Sequence, residues 1–159
     1  MIYIEELDEN WALKEAINCA NQSPCRSKRG VIIWNRTSGV ETYGFNEPPP
    51  PLICDGSDAC KANCAKTAVH AEQAALLHFK PYKYREYEMI HVKTIGGEAV
   101  HSLQPSCWQC SKLILAAGIK YMWLYQKEGL VRYTALDFHN KTLINCGLNR
   151  HDEICNGEA

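Results

Sequence analysis

Two short stretches carry residue types that could do chemistry together: His70-Ala71-Glu72 and the pair Cys107 and Cys110, three residues apart. One imidazole and two thiolates are three zinc ligands, and three protein ligands leave a fourth position open, as in a catalytic zinc. Cysteines three apart lie on one side of the first turn of a helix, whose N-terminus favours the thiolate. Glu72 is not the obvious fourth ligand and is placed to carry protons beside the metal. Either half alone is weak. A C-x-x-C pair also reads as a thioredoxin-like redox motif, and a lone His-x-Glu on a helix usually carries no chemistry. Both halves in this order are specific.

Cysteine is abundant, with nine in 159 residues. The acidic start (Glu5, Glu6, Asp8, Glu9) lacks the basic and apolar regions of an export signal, so a cytoplasmic location and reduced thiols are expected. Cys54, Cys60 and Cys64 form a close trio ahead of His70, in a loop with too few large apolar residues to pack itself. Their spacings are not those of a common zinc finger. From the residues alone, metal ligands and free thiols both remain open. Cys19, Cys146 and Cys155 read as ordinary buried or tail cysteines.

The elements that must position these groups follow from periodicity. Leu13, Ala16, Ile17 and Ala20 recur at helical spacing after a cap at Asp8 or Asn10, and Ser23-Pro24 stops that helix. Residues 30–35 and 40–46 read as a hairpin across a Thr-Ser-Gly turn. The prolines at 48–51 mark a loop. A helix from a Thr67 cap to His78 is apolar on much of its circumference and is expected to be buried. Residues 89–95 read as a strand ended by Gly96-Gly97, Ser106 as the cap of a helix that Gly118 ends, 119–125 as a strand, and 130–138 as a last short helix. This order argues for an α/β sandwich with helices on both faces of one sheet.

Length and charge set the outer limits. One domain, 1–159, is expected, with a cysteine-rich insertion at about 47–66 and a polar tail from about residue 145. A composition 46% hydrophobic and 22% charged is that of a soluble globular protein, and no apolar run approaches a membrane span. A net charge of −1 offers no broad cationic surface, which disfavours a long nucleic-acid footprint. The stretch Tyr82 to Arg85 mixes aromatic and basic residues but reads as a solvated connection beside Glu86 and Glu88. His78, His91, His139 and His151 read as surface or half-buried polar residues, and His101 as a loop position with a pocket-facing role as the alternative.

At its chemical residues the chain resembles the cytidine deaminase superfamily, whose zinc enzymes carry H-x-E followed by P-C-x-x-C, and more narrowly the deoxycytidylate (dCMP) deaminases. The narrower likeness rests on the run Cys25 to Val31 before the first strand, and on Gly44-Phe45-Asn46 where that family has Gly-Tyr-Asn. It rests also on His70-Ala71-Glu72-Gln73-Ala74-Ala75, similar to His-Ala-Glu-x-Asn-Ala, and on the Ser111 to Ile114 and Ala117-Gly118-Ile119 runs. The likeness covers residues 10 to 126. Two features depart from the pattern: Ser106 separates Pro105 from Cys107, and residues 96–104 read as an added loop.

The resemblance implies a three-layer α/β/α sandwich around a mixed sheet of about five strands. It also implies a catalytic Zn2+ on His70, Cys107 and Cys110, with Glu72 as the catalytic proton carrier. The implied reaction is deamination of a free cytosine nucleotide, dCMP to dUMP with release of ammonia. In that family's manner the backbone N–H of Ala71 would hold the base and Asn46 would reach the sugar, although Asn46 is also read as a turn residue. Further implications are a structural Zn2+ on Cys25, Cys54, Cys60 and Cys64, and a homo-oligomer. Arg26, Lys28 and Arg29 could meet a phosphate, for which a solvated basic turn is an equally good account. The competing functions are a deaminase acting on another nucleoside or nucleotide or on a base within RNA or DNA, and a zinc-containing nucleotide-binding protein without turnover, against which Glu72 speaks.

Overall fold

In the computed structural model, which describes residues 7–102 and 107–150, Asp8 starts the first helix by accepting the backbone N–H of Trp11 at 2.9 Å. That helix, α1 (Glu9–Ala20), turns the small residues Ala12, Ala16 and Ala20 toward the sheet. Small residues let the backbones approach closely, and a Cβ on Gly30 of the first strand would stand 2.4 Å from the Ala20 nitrogen. Strands β1 (Lys28–Asn35) and β2 (Gly39–Phe45) pair antiparallel. Asn35 shapes their turn by accepting the backbone N–H of Thr37 and of Ser38 at 3.0 and 3.1 Å. Then follow α2 (Asp58–Thr67), α3 (Ala71–Leu77), β3 (Glu88–Ile95), β4 (Glu98–Val100), α4 (Trp108–Ala116), β5 (Tyr121–Gln126), β6 (Gly129–Thr134) and α5 (Ala135–Asn145).

The six strands form one mixed sheet in the order β2-β1-β3-β5-β6, with β4 paired to β3. Only the β3–β5 pairing is parallel, as expected where α4 crosses between them. Alternation along the strands divides the core in two. On one face α1 covers Ile32, Trp34, Ile90, Val92 and Trp123. On the other, α3, α4 and α5 cover Val31, Ile33, Met89, Met122 and Leu124. The expected three-layer α/β/α sandwich is present.

Four expectations are corrected. Thr67 does not cap the helix after the cysteine trio; it ends α2, and His70 caps α3. The trio itself lies on and beside a helix, not in a bare loop: Ser57 caps α2 by accepting the Cys60 N–H at 3.0 Å, but none of its residues is buried. Residues 98–100, expected in an added loop, pair with β3 as β4. Residues 130–134, expected to begin a helix, are strand β6, because their backbone groups find partners on β5; the helix starts at Ala135 from a Thr134 cap. Ser106 and residues 151–159 lie outside the described residues, and the N-cap of α4 is Cys107.

Candidate active site

The second layer of helices brings the two chemical stretches together. His70 precedes α3, and its backbone N–H is taken by Gln73 Oε1 at 3.0 Å. Its Nδ1 lies 3.1 Å from Cys110 Sγ. Cys107 caps α4, with Sγ accepting the Cys110 N–H at 3.3 Å. The Nδ1 or Nε2 atom of His70 and the two sulfurs all lie within 4.8 Å of one another, the only such three-residue group among the described residues. One imidazole and two thiols at this separation fit a tetrahedral zinc with one position left over.

The thiols are poised for a cation. Cys107 is lowered to about 4, first by the neighbouring Cys110 thiol, against burial, and then by His70 and the Cys110 N–H. Cys110 is pushed up, first by Cys107, then by burial and Glu72. A divalent cation bound by the two sulfurs would displace their protons.

Glu72 stands in the first turn of α3, with its side chain 13% exposed. Burial opposes its ionisation. Its charged and N–H neighbours, His91 foremost and then its own backbone, His70 and Arg29, outweigh this and hold the carboxyl below its usual range. His91 on β3 is itself pushed down, first by burial, against the pull of Glu72.

These groups line a cavity of about 400 Å³, the size of a small-ligand site, with His70, Glu72, His91 and Cys107 in its wall. The α2 helix forms another wall through Ser57, Cys60, Lys61 and Cys64. Its loop is closed at the base by two hydrogen bonds between Glu47 and Val69, at 3.2 and 2.9 Å.

Other expected site residues divide. Cys25, Cys54, Cys60 and Cys64 line the same cavity. Cys60 Sγ lies 3.6 Å from Cys54 Sγ and 3.9 Å from Cys64 Sγ, but the three sulfurs are not all within 4.8 Å of one another, so the structure does not gather the four cysteines as it gathers His70, Cys107 and Cys110. Cys25 is buried, and its thiol is raised by that burial and by Cys54 and Cys60. Asn46 reaches the cavity wall, but its amide spans the start of β1, accepting the Arg29 N–H at 2.8 Å and donating to the Ser27 carbonyl at 2.6 Å. Ala71 is buried as the first residue of α3.

Of the three cations, Arg29 lines the cavity, Arg26 does so while paired with Asp58 at 2.5 Å, and Lys28 donates to the Ser23 carbonyl and is absent from the wall. Sequence reasoning missed Lys61, which the α2 helix brings to the wall, and misread two histidines. His91 and His139 are 5% and 1% exposed, His139 lying 2.8 Å from Ser111 Oγ. The available signal for His91 was a polar residue inside the apolar run of a strand. His101 is exposed, against the Tyr125 ring.

No family model matches this chain, and no curated protein sequence does. Solved structures do. The dCMP deaminase of cyanophage S-TIM5 in its apo form is 23% identical, with a TM-score of 0.53 over 71% of this chain and 78% of that one. The structure of the same phage enzyme in complex with dCMP and dUMP is 25% identical, with a TM-score of 0.52 over 69% and 74%. Cytidine deaminase from Mycobacterium leprae is 15% identical, with a TM-score of 0.50 over 79% and 94%. The fold is that of the cytidine/deoxycytidylate deaminase superfamily, and it is close to that of the dCMP deaminases.

Proposed function

We propose that this chain is a zinc-dependent deaminase of a free cytosine nucleotide, converting dCMP to dUMP and ammonia. The observation that carries this reading is the arrangement of His70, Cys107 and Cys110 around one point, with the Glu72 carboxylate in the same cavity wall. His70, Cys107 and Cys110 would hold the zinc, which when bound supplies Lewis-acid activation of water at neutral pH. Glu72 takes a proton from the attacking water and passes it to N3 of the pyrimidine, which makes C4 electrophilic. Once the oxygen has added at C4, Glu72 takes the remaining proton from that new hydroxyl and delivers it to the amino group, so that C4=O forms as the amine is protonated. The C4–N bond breaks, ammonia leaves, and a uracil ring remains. The first N–H of α3, at Ala71, lacks an acceptor within its helix and holds the base carbonyl. Asn46 is the candidate sugar contact.

A monophosphate is favoured by Arg29 and Lys61 in the cavity wall, beside Arg26 paired with Asp58, and by the dCMP and dUMP bound to the phage enzyme of like fold. The four-cysteine set would hold a second, structural zinc that ties α2 to β1. The reading extends to a homo-oligomer, following the resemblance. Ammonia release is to be compared for deoxycytidine, CMP, dCMP, dCTP and a cytosine-containing oligonucleotide. The highest kcat/KM on dCMP supports the assignment. Equal efficiency on deoxycytidine removes the phosphate, preference for the oligonucleotide favours a polynucleotide enzyme, and release from none removes the deaminase.

A further inference from the structure

Among the described residues one basic side chain has its nitrogen within 4 Å of the Glu72 carboxyl, and it comes from the sheet. His91 Nε2 lies 3.4 Å from Glu72 Oε1. On β3, His91 faces the α3 side, where its partners in register are Val31 on β1 and Leu124 on β5. Both are buried members of the apolar cluster that also holds Met89. An aliphatic side chain would suit that layer, whereas an imidazole without a polar partner would carry a desolvation cost there. The ring escapes that cost because it ends in the cavity wall against Glu72.

We propose that His91 is a positioning residue: its Nε2–H fixes one oxygen of Glu72 from the floor of the cavity, so that the other oxygen meets the proton it must carry. The proposal rests on the deaminase reading for its kinetic consequence only. A glutamate has three rotatable side-chain bonds, and proton transfer to two successive atoms of one ring tolerates little misplacement. An anchor on a central strand is more rigid than any on α2, which buries no residue of its own.

The experiment uses the full chain loaded with zinc. His91→Leu is expected to lower kcat for the preferred substrate by roughly 10- to 100-fold with KM nearly unchanged. His91→Gln, whose amide N–H can stand where Nε2–H stood, is expected to recover most of that loss. In a Glu72→Gln background His91→Leu should lower kcat no further. Equal losses in Leu and Gln variants that both retain zinc, or the same factor lost in both backgrounds, would overturn the proposal.

A reading without turnover separates it from the proposed activity. The ring 15N signals of His91 are expected to move when Glu72 is changed to Gln, whether or not the wild-type protein releases ammonia. Unmoved signals would refute the contact. A wild-type chain that deaminates nothing while those signals move would remove the proposed function and leave the anchoring of Glu72 standing.

Discussion

At the scale of single residues, the proposed reaction divides the work between groups that hold and one that moves protons. Glu72→Gln preserves shape and removes the titratable oxygen. It should therefore keep both metals and the fold while losing roughly 10²- to 10⁴-fold in kcat, read by steady-state ammonia release beside metal analysis. Cys107→Ser or Cys110→Ser should lose one zinc and all turnover, because the remaining two ligands cannot close the site. Arg29 stands at the cavity wall without an ion pair to a carboxylate among the described residues, unlike Arg26. Arg29→Ala is thus expected to raise KM for dCMP roughly tenfold and leave deoxycytidine unaffected. A parallel loss on both substrates would place Arg29 in the architecture and not at the phosphate.

At the scale of elements, close backbone approach sets where the chemical helices sit. A Cβ at Gly44 would lie 2.3 Å from the Ala71 carbonyl oxygen and 2.5 Å from the Ala75 nitrogen, so β2 and α3 meet with no room for a side chain. Thr42 Oγ1 donates to the Ala75 carbonyl at 3.0 Å across the same seam. Gly44→Ala should cost about 2 kcal/mol in chemical denaturation, since buried overpacking costs of that order. It should also lower kcat, because α3 carries Glu72.

The α1 cap gives a pH test at the same scale. The Trp11 N–H holds the Asp8 carboxyl below its usual range. A carboxyl lowered on folding contributes stability that is fully present above the unfolded value of about 3.9 and is lost as pH falls through the folded one. Wild-type protein should therefore lose stability relative to Asp8→Asn below about pH 4 and match it near pH 7, checked by melting at both pH values.

Across the whole molecule, one ion-pair staple joins α1 to the sheet. Glu88, beside the connection expected to be solvated, is 5% exposed and accepts from Arg36 Nε at 2.5 Å and from Trp123 Nε1 at 2.9 Å. Arg36 also reaches Glu9 at 3.2 Å, so one guanidinium ties α1, the β1 end and β3 together and is itself held strongly protonated by Glu88. Removing one partner of a buried pair leaves the other uncompensated, and Arg36→Ala should cost about 2 to 3 kcal/mol, the partial exposure of Arg36 placing it below the fully buried case. The proposed structural zinc on the four-cysteine set would be the second. Cys60→Ser and Cys64→Ser should each reduce zinc from two to one per chain and lower the melting temperature, with activity lost mainly through KM as the α2 wall loosens. One zinc in the wild-type protein would remove this site, and none the metal reading altogether.

What the sequence determined by itself was the set of candidate chemical residues and the local order. His70, Glu72, Cys107 and Cys110 declare themselves because metal ligation and proton transfer demand particular side chains at particular spacings. The first hairpin and α1 declare themselves because periodicity and turn residues act over short distances. Tertiary structure decided everything that depends on a distant partner. Residues 130–134 became a strand because β5 offers an unpaired edge, and α2 formed without a buried face, a case that apolar periodicity cannot detect. His91 and Lys61 reached the cavity from a central strand and from the insertion, and Lys28 left it for a carbonyl. The sequence names the residues that can react, whereas packing alone decides which otherwise ordinary residues stand beside them.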